Sequence, residues 1–433
     1  MVPIFLFTLI GCCLFIVYGA LIDYYRRAWT AIPEFVPSGK TGLRPCHTRI
    51  SVLIPARNEA KNIASCIESL FLQSYPKNLY QVIVIDDHST DATPEIVQDL
   101  RYPDMDLICA RLADIDSPPL ASPPLTSPEL AGPQRASPQL AYKKLAIGTG
   151  VQIASGELIV TTDADCRFHP DWLTTIAAFY EEKNAKFIAA PVRIGDPLPA
   201  RHSAVPAGDP LPAPHHNHST APGSPTFLSI FQTLDFITLQ GITGAAVAKK
   251  FHSMCNGANL AYQKNAFIEV GGFSNIDDIP SGDDMLLMHK IYNKYPDSVW
   301  FLKSPRAIAS TQPETTWSGF IHQRVRWASK ADRYDDKRIF RVLLLVYLVN
   351  FMFVILPVAA CWDRRWLWLF LIALLTKTLL EYPFVSTVAR FFGQRALMKW
   401  FPFLQPLHIV YTVVIGWMGK FGSYRWKDRK ITK

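Results

Sequence analysis

Long apolar segments flank a central region in which apolar and polar residues alternate over short distances. The long segments cover residues 2–22, 339–361, 366–389 and 401–421. An α-helix needs about 20 residues to cross the hydrocarbon core of a bilayer, and each segment approaches that length. Residues 49–335 instead contain short β-branched runs and stretches with helical spacing, the pattern of a globular α/β domain. The pattern therefore predicts one such domain attached to a membrane.

The first apolar segment is predicted to be an uncleaved transmembrane anchor over residues 1–24. No Lys or Arg precedes it, whereas Arg26 and Arg27 follow it, and the cytoplasmic ends of spans carry the excess of basic residues. A cleaved signal peptide is the alternative, but a basic n-region is missing and apolarity continues past the lipoprotein-like box ending at Cys12. We expect a multi-pass protein of the inner (cytoplasmic) membrane with its globular domain in the cytoplasm.

The next two apolar segments, residues 339–361 and 366–389, predict a hairpin of transmembrane helices that turns at residues 363–365. Lys377 and Glu381 lie four residues apart in the second helix, so they can pair along one helix face. Ionisable groups at that depth usually face protein or water. The two side chains either neutralise each other against a neighbouring helix or belong to a polar pathway.

The last apolar segment, residues 401–421, has two interpretations. Pro402 and Pro406 interrupt its start. If the segment spans the membrane, the basic tail 422–433 falls outside, against the usual bias. A re-entrant or interfacial segment keeps that tail in the cytoplasm.

Charge and cysteine content exclude other classes of protein. The net charge of +8 lies largely beside the apolar segments, which suits contact with anionic lipid headgroups. No basic stripe with interleaved aromatic residues is present, so nucleic acid is not an expected partner. The eight cysteines form no Cys-x-x-Cys pair, and they indicate reduced thiols rather than a disulfide framework or a zinc site.

Two low-complexity segments interrupt the globular region. Residues 114–141 repeat Pro with a five-residue period, and residues 195–226 contain Gly-Asp-Pro-Leu-Pro-Ala twice. Dense proline removes backbone donors and excludes helices and central strands. We interpret both segments as surface insertions, with a Pro-rich docking motif as the alternative. Without them, residues 49–335 form a single domain.

Two strand–helix units open this domain. Residues 50–55 and 81–85 have the composition of buried strands, and residues 63–71 and 93–100 have helical spacing. We expect the first helix to start near Asn58. Consecutive strand–helix units predict a parallel sheet, whose ligands bind at the carboxyl ends of the strands.

Polar residues follow the first two predicted strands: Arg57, Glu59, Asp86 and Asp87. Each alone is typical of an ordinary strand–loop–helix connection. Together, at one edge of a parallel sheet, they form a candidate binding site.

A third predicted strand, residues 158–162, ends at Asp163 and Asp165. Two carboxylates at this spacing can share one Mg²⁺ or Mn²⁺, because hard cations prefer oxygen ligands and keep positions open for phosphate oxygens. Lys143 or Lys144, on a predicted helix upstream, could add positive charge near a diphosphate; a solvated lysine is the alternative.

Two later segments add candidate groups. Asp283 and Asp284 follow Gly282 at the start of a predicted helix, where a carboxylate acts either as a cap or as a base for a hydroxyl. Residues 316–330 predict an amphipathic helix. On it, Arg326 can clamp phosphate oxygens and Trp327 offers a flat face for a sugar; an interfacial pair without a catalytic role is the alternative.

This series of motifs resembles the membrane-bound family 2 glycosyltransferases. The resemblance covers residues 49–335 and the flanking helices, and it is strongest to the branch with cellulose, chitin, hyaluronan and poly-N-acetylglucosamine synthases. It implies an α/β fold of the GT-A type, the Rossmann-like nucleotide-diphospho-sugar transferase domain, with flanking transmembrane helices.

The resemblance also implies roles for individual residues. Arg57, Glu59 and Asp87 would contact the nucleoside, and Arg326 would also lie on the donor, where the position of Lys143 already makes it a candidate. Asp163 and Asp165 match the DxD metal motif, and Asp284 matches the last Asp of the TED or GDD motif, the general base. Gln323, Arg326 and Trp327 match QxxRW, which with Asp283 would lie near the diphosphate and the acceptor.

The implied reaction is a metal-dependent transfer with inversion from a UDP-sugar to a growing glycan, giving a β-linkage. Fewer C-terminal spans than in a polysaccharide-secreting synthase leave a second acceptor open, a membrane lipid that receives one sugar. A non-catalytic membrane scaffold with partners on the Pro-rich insertions is a third interpretation, and an export or accessory subunit is a further possible partner.

Overall fold

The structure is a computed structural model. It describes residues 2–37, 47–114, 142–197, 225–251, 254–276, 282–329, 337–422, 424–426 and 429–431. The insertions predicted at residues 114–141 and 195–226 lie almost entirely outside the described residues, and so do residues 423, 427, 428, 432 and 433 of the tail. The limits of the domains therefore stay predictions.

Strands and helices alternate through the described central region. The strands are β1 (Ile50–Ala56), β2 (Tyr80–Asp86), β3 (Asp106–Arg111), β4 (Leu158–Thr161), β5 (Arg167–Phe168), β6 (Phe187–Ala189), β7 (Val192–Ile194), β8 (Leu260–Gln263), β9 (Val299–Phe301), β10 (Ala309–Thr311), β11 (Tyr424–Trp426) and β12 (Arg429–Ile431). The helices are α1 (Val2–Ala31), α2 (Ile63–Phe71), α3 (Thr93–Asp99), α4 (Tyr142–Ile153), α5 (Trp172–Lys183), α6 (Phe227–Ala248), α7 (Lys264–Glu269), α8 (Asp283–Lys294), α9 (Trp317–Ala328), α10 (Lys337–Ala360), α11 (Arg365–Phe391) and α12 (Phe401–Phe421).

A seven-stranded sheet forms the centre, in the order β3-β2-β1-β4-β8-β6-β9. The first four of these strands are parallel, and β8 runs antiparallel to both β4 and β6. Every residue of β2 and β4 is buried, because helices cover both faces of a parallel sheet. The predicted α/β architecture is confirmed. A second sheet, in the order β5-β10-β7, lies beside the first.

The loop after β1 differs from its prediction. Helix α2 begins at Ile63, so the expected start near Asn58 is wrong. Asn58 has a left-handed backbone with φ 54°. Its side-chain oxygen accepts a hydrogen bond of 2.8 Å from the Thr90 amide, and its own amide donates to the Ser89 hydroxyl at 3.0 Å. Asn58 therefore ties the loop after β1 to the loop after β2.

Four helical stretches in the described part of the chain are long and apolar enough to cross a membrane: Ile4–Ala31, Lys337–Ala360, Arg365–Phe391 and Arg395–Phe421. The predicted helical hairpin is present as α10 and α11. Within α11, Lys377 donates to a Glu381 carboxylate oxygen at 2.5 Å, and Gln405 of α12 donates to the other oxygen at 2.6 Å. The predicted pairing of Lys377 with Glu381 is therefore confirmed.

Helix α6 connects the central sheet to these apolar helices through small residues. A β-carbon on Gly241 would lie 2.4 Å from Val388 of α11, and one on Gly244 would lie 2.7 Å from Trp29 of α1. Glycine at both positions permits the close helix approach. Trp29 also packs edge-on against Phe301 of β9, with ring centroids 5.9 Å apart. The sheet, α6 and α1 consequently share one core.

α12 and the segment between α11 and α12 contact the central domain. In that segment, the Gln394 side chain donates to the Ile194 carbonyl of β7 at 3.0 Å. Near its end, Gly419 packs so tightly on α9 that an added β-carbon would lie 2.6 Å from the Ala328 β-carbon. This packing favours the interfacial interpretation of residues 401–421, which stays a prediction.

Candidate active site

Charged side chains gather at the carboxyl edge of β1, β2 and β4. Strand β2 continues into Asp87, whose amide donates to the Ala56 carbonyl at the end of β1 at 2.8 Å. The Arg57 guanidinium donates to the Asp87 carbonyl at 2.8 Å and lies 4.0 Å from its carboxylate. Glu59 follows in the same loop, where its amide donates to the Thr93 hydroxyl at 2.8 Å. The three residues expected at the nucleoside thus lie on adjacent loops.

Lys143 links the acidic residues that follow β4 to those that begin α8. Its ammonium donates to Asp163 at 2.7 Å and lies 3.8 Å from an Asp283 oxygen. Burial lowers the pKa of Lys143, but the attraction of Asp163 and Asp283 outweighs it and holds the pKa above its ordinary value. Lys143 is therefore a fixed cation of the site, whereas its neighbour Lys144 turns away to the Ile276 carbonyl.

Asp165 lies deeper than Asp163. The Thr311 hydroxyl of β10 donates to one of its oxygens at 2.7 Å. Burial is the main cause that raises the pKa of Asp165 to about 6, and the charge of Asp163 adds to the increase. Because the negative charge of Asp163 opposes ionisation of Asp165, a cation bound between them would be favourable.

Asp284 stands at the start of α8, beside the loop that leads into β8. Its two oxygens accept hydrogen bonds from the amides of Met285, at 2.8 Å, and Gly257, at 3.3 Å. A β-carbon on Gly257 would lie 3.4 Å from the Lys143 ammonium, 3.5 Å from Asp283 and 3.6 Å from the Asp284 β-carbon. The expected base therefore borders the same space as Lys143, which holds Asp163, and Gly257 leaves that space open.

Helix α9 carries the Gln-Arg-Val-Arg-Trp segment, and the structure draws attention to an arginine that sequence reasoning missed. Arg324 is buried, and it donates to Asp235 of α6 at 2.8 Å and to Gln323 at 2.5 Å. Its guanidinium lies 4.2 Å from the centre of the Trp327 ring. Arg326 is half-buried on the same helix. Asp235 is the only charged residue of α6, which signals a buried basic partner but does not identify which arginine supplies it.

A cavity of about 810 Å³ begins beside Asp284 and continues between α6, α9, α10 and α12. Trp327 and Arg324 line it near the site, and most of the remaining lining side chains are apolar. Its volume is in the range of about 300–1,000 Å³ that is typical of small-molecule sites. The charged edge of the sheet is therefore continuous with an apolar space among the long helices.

The residues present fit a divalent cation. Across the described ranges, no group of three or more His, Cys, Asp and Glu side chains is arranged to hold a metal ion. Asp163 and Asp165 supply one or two carboxylates, which is the protein contribution that Mg²⁺ takes when substrate phosphates and water complete its shell. The donor set suits an ion that binds together with a phosphorylated substrate.

A parallel-rich sheet with an acidic carboxyl edge defines a protein of the GT-A fold class, and its four long apolar helices are compatible with membrane association. Residues 51–111 and 141–223 match the model of glycosyl transferase family 2. The chain carries a glycosyl transferase family 2 domain, as the resemblance implied. The branch of that family stays a prediction.

Curated relatives agree with this family, and a solved structure agrees with the fold. The mannosyltransferase PcManGT from Pyrobaculum calidifontis, solved with GDP-Man and Mn²⁺, aligns with a TM-score of 0.51 and 18% identity over 95% of this chain and 99% of that one, which shows the fold. The glycosyltransferase AglE of Haloferax volcanii is 30% identical over 29% of this chain and 33% of its own length. The probable glycosyltransferase YdaM of Bacillus subtilis is 23% identical over 65% and 54%. The chain thus spans about a third to a half of these two relatives.

Proposed function

We propose that the protein is an inverting glycosyltransferase that moves a sugar from a nucleotide sugar, UDP-linked, to a hydroxyl group at the cytoplasmic face of a membrane. The observation that carries the proposal is the single cluster in which Lys143 links Asp163 to Asp283, with Asp284 on the same space. In this proposal the metal pair, the cation and the base would act on one substrate, as an in-line displacement requires.

The donor half of the site follows from the strand ends. Glu59 and Asp87 would accept hydrogen bonds from the nucleoside, and Arg57 holds the backbone of Asp87 in place. Lys143 would stabilise the diphosphate as a point charge, and Arg326 can reach phosphate oxygens with two parallel donors. A Mg²⁺ or Mn²⁺ ion held by Asp163 and Asp165 would neutralise charge on the departing diphosphate.

Asp284 is the proposed general base. It takes the proton of the acceptor hydroxyl while that oxygen bonds to the anomeric carbon and the bond to the diphosphate oxygen breaks. The nucleoside diphosphate leaves, and an α-linked donor gives a β-linked product. The amides of Gly257 and Met285 orient the carboxylate at the start of α8, where Gly282 adopts the left-handed φ of 84° that the turn requires.

The acceptor divides the proposal into two forms. A growing glycan is the form that the synthase resemblance implies, with Gln323, Trp327 and Asp283 near the acceptor. A membrane lipid is the second form, and the apolar cavity beside Asp284 favours it. Relatives of both kinds exist, since one is named a β-monoglucosyldiacylglycerol synthase and another a poly(ribitol-phosphate) β-N-acetylglucosaminyltransferase.

The test is turnover by the purified full-length protein with each of UDP-glucose, UDP-N-acetylglucosamine, UDP-galactose and GDP-mannose, in membranes that supply the acceptor. Asp284→Asn is expected to lower transfer by at least about a hundredfold, the usual contribution of a general base. Asp297→Asn, an exposed carboxylate beyond the end of α8, is the matched control.

Unchanged turnover in Asp284→Asn would defeat the assigned base. A wild-type protein that neither consumes any of the four donors nor binds UDP or GDP with Mg²⁺ or Mn²⁺ would favour the non-catalytic scaffold instead.

A further inference from the structure

We infer that the acceptor is a neutral, hydroxyl-bearing membrane lipid whose hydrocarbon chains occupy the cavity between α6, α10 and α12. The inference rests on the proposed glycosyl transfer and identifies its second substrate.

The cavity extends to Asp284, the proposed general base, so a molecule in the cavity can reach that carboxylate. One end is bounded by Asn256 and Asp284, and the walls continue along α6 at Leu239 and along α12 at Tyr411 and Thr412. A molecule with a hydroxyl at one end and an apolar body can therefore present its oxygen to Asp284 while its body remains among the helices.

The cavity opens toward lipid rather than water. Phe340 of α10 and Trp417 and Phe421 of α12 line it, and the same side chains are 56%, 62% and 65% exposed on the outer surface. Both helices belong to stretches that are apolar enough to cross a membrane. Large exposed apolar side chains at the rim of an apolar space mark a contact with hydrocarbon. At this rim, a hydrophilic glycan chain would meet Phe340 and Phe421, which offer it no hydrogen bonds.

The charges on the walls favour a neutral headgroup. Arg324 is paired with Asp235 at 2.8 Å, and Glu381, which lines the cavity, is paired with Lys377 at 2.5 Å. His408 also lies against Asp235, at 3.7 Å. The basic side chains Arg324 and Lys420 line the cavity together with three carboxylates, those of Asp235, Asp284 and Glu381. The walls therefore carry no excess of positive charge for a lipid phosphate.

The entrance to the active site adds to this preference. Asp284 lines the cavity where the headgroup would stop, with Asp283 next to it in the chain, and the nearby Lys143 is held by Asp163. An anionic headgroup would meet carboxylates there. The hydroxyl of a neutral lipid would instead lie beside Asp284, the proposed base that accepts its proton.

The experiment uses the full-length protein in phosphatidylcholine nanodiscs with each of four radiolabelled donors. Separate samples contain dioleoylglycerol, a ceramide or a polyprenyl phosphate. The expected result is label in the organic phase for a neutral lipid, whose mass rises by one sugar. Label on the polyprenyl phosphate alone, or a water-soluble ladder of products, would overturn the inference.

The two proposals fail separately. If donors are hydrolysed to the nucleoside diphosphate but no neutral lipid is labelled, the lipid acceptor is wrong and glycosyl transfer stands. If no donor is consumed in any sample, the proposed function itself falls, and the acceptor with it.

A pair of tryptophan variants on α12 tests the location. Thr412→Trp places a ring in the cavity. We expect it to raise the apparent KM for the lipid at least about tenfold, which corresponds to about 1.4 kcal/mol of binding free energy. Val410→Trp, on the exposed face of the same helix, is expected to behave as the wild type. Equal lipid KM values in the two variants would place the lipid elsewhere.

Discussion

Removing the Lys143 ammonium should tighten metal binding while it weakens catalysis. The ammonium holds an Asp163 oxygen at 2.7 Å, and Asp163 is one of the two carboxylates assigned to the cation. An incoming Mn²⁺ must therefore displace Lys143 or share its carboxylate. In Lys143→Met that competition disappears, but the departing diphosphate also loses a stabilising charge, so turnover should fall.

The size of the effect follows from the exposure of the pair. A hydrogen bond between charged groups contributes about 1.5–3 kcal/mol when it is shielded from water. The Asp163 side chain is 40% exposed and that of Lys143 is 22% exposed. Solvent screening therefore reduces the contribution of their hydrogen bond to about 1.5 kcal/mol or less. About 1.4 kcal/mol corresponds to a factor of ten. We expect the Kd for Mn²⁺ to fall up to about tenfold.

The measurement is the concentration of free Mn²⁺, followed by electron paramagnetic resonance in a titration of the purified protein without donor. Lys250→Met is the matched control, because it removes an exposed ammonium that is paired with Asp297. It should leave the Mn²⁺ affinity unchanged. Equal or weaker Mn²⁺ binding in Lys143→Met would show that Asp163 and the metal site are not coupled to this lysine.

Two further predictions concern the fold and its orientation. Gly156→Ala should lower the free energy of unfolding by about 1–3 kcal/mol, the cost of overpacking, because its β-carbon would lie 2.6 Å from the Ser51 amide nitrogen. Gly148→Ala, with open space around the new β-carbon, should raise it by about 0.5–1 kcal/mol through helix propensity. Thermal unfolding in detergent compares the two variants, and equal shifts of the unfolding temperature would contradict the packing. Cys361 is exposed at the turn between α10 and α11, and we expect an impermeant maleimide to label the protein there in intact cells. The Cys361→Ser variant should lose this label. Labelling only from the cytoplasmic side would show the opposite orientation.

Local patterns were sufficient to predict the strands that carry the site. β-Branched runs at residues 50–55, 81–85 and 158–162 correspond closely to β1, β2 and β4, because a strand buried on both faces needs apolar side chains throughout. Their carboxyl ends meet at one edge by topology alone. Arg57, Asp87 and Asp163 could therefore be grouped without coordinates.

Features that depend on distant segments were not predictable in the same way. The helical spacing of α9 does not predict which of its arginines faces α6. Tertiary packing decides that Arg324 forms the ion pair with Asp235. Helix α2 begins at Ile63 rather than near Asn58, because Asn58 forms a hydrogen bond to a loop about 30 residues away. The cavity is formed by helices that are remote in the chain, so no local pattern encodes it.

The most direct test of the central claim is calorimetric binding of UDP and of GDP to the full-length protein, with and without Mn²⁺. The claim is that Asp163 and Asp165 hold a metal ion for a nucleoside diphosphate. It predicts Mn²⁺-dependent binding of one nucleotide in the wild type and loss of that binding in Asp163→Asn/Asp165→Asn, with the unfolding temperature preserved. Binding that is independent of Mn²⁺, or that persists in the double variant, would contradict the claim.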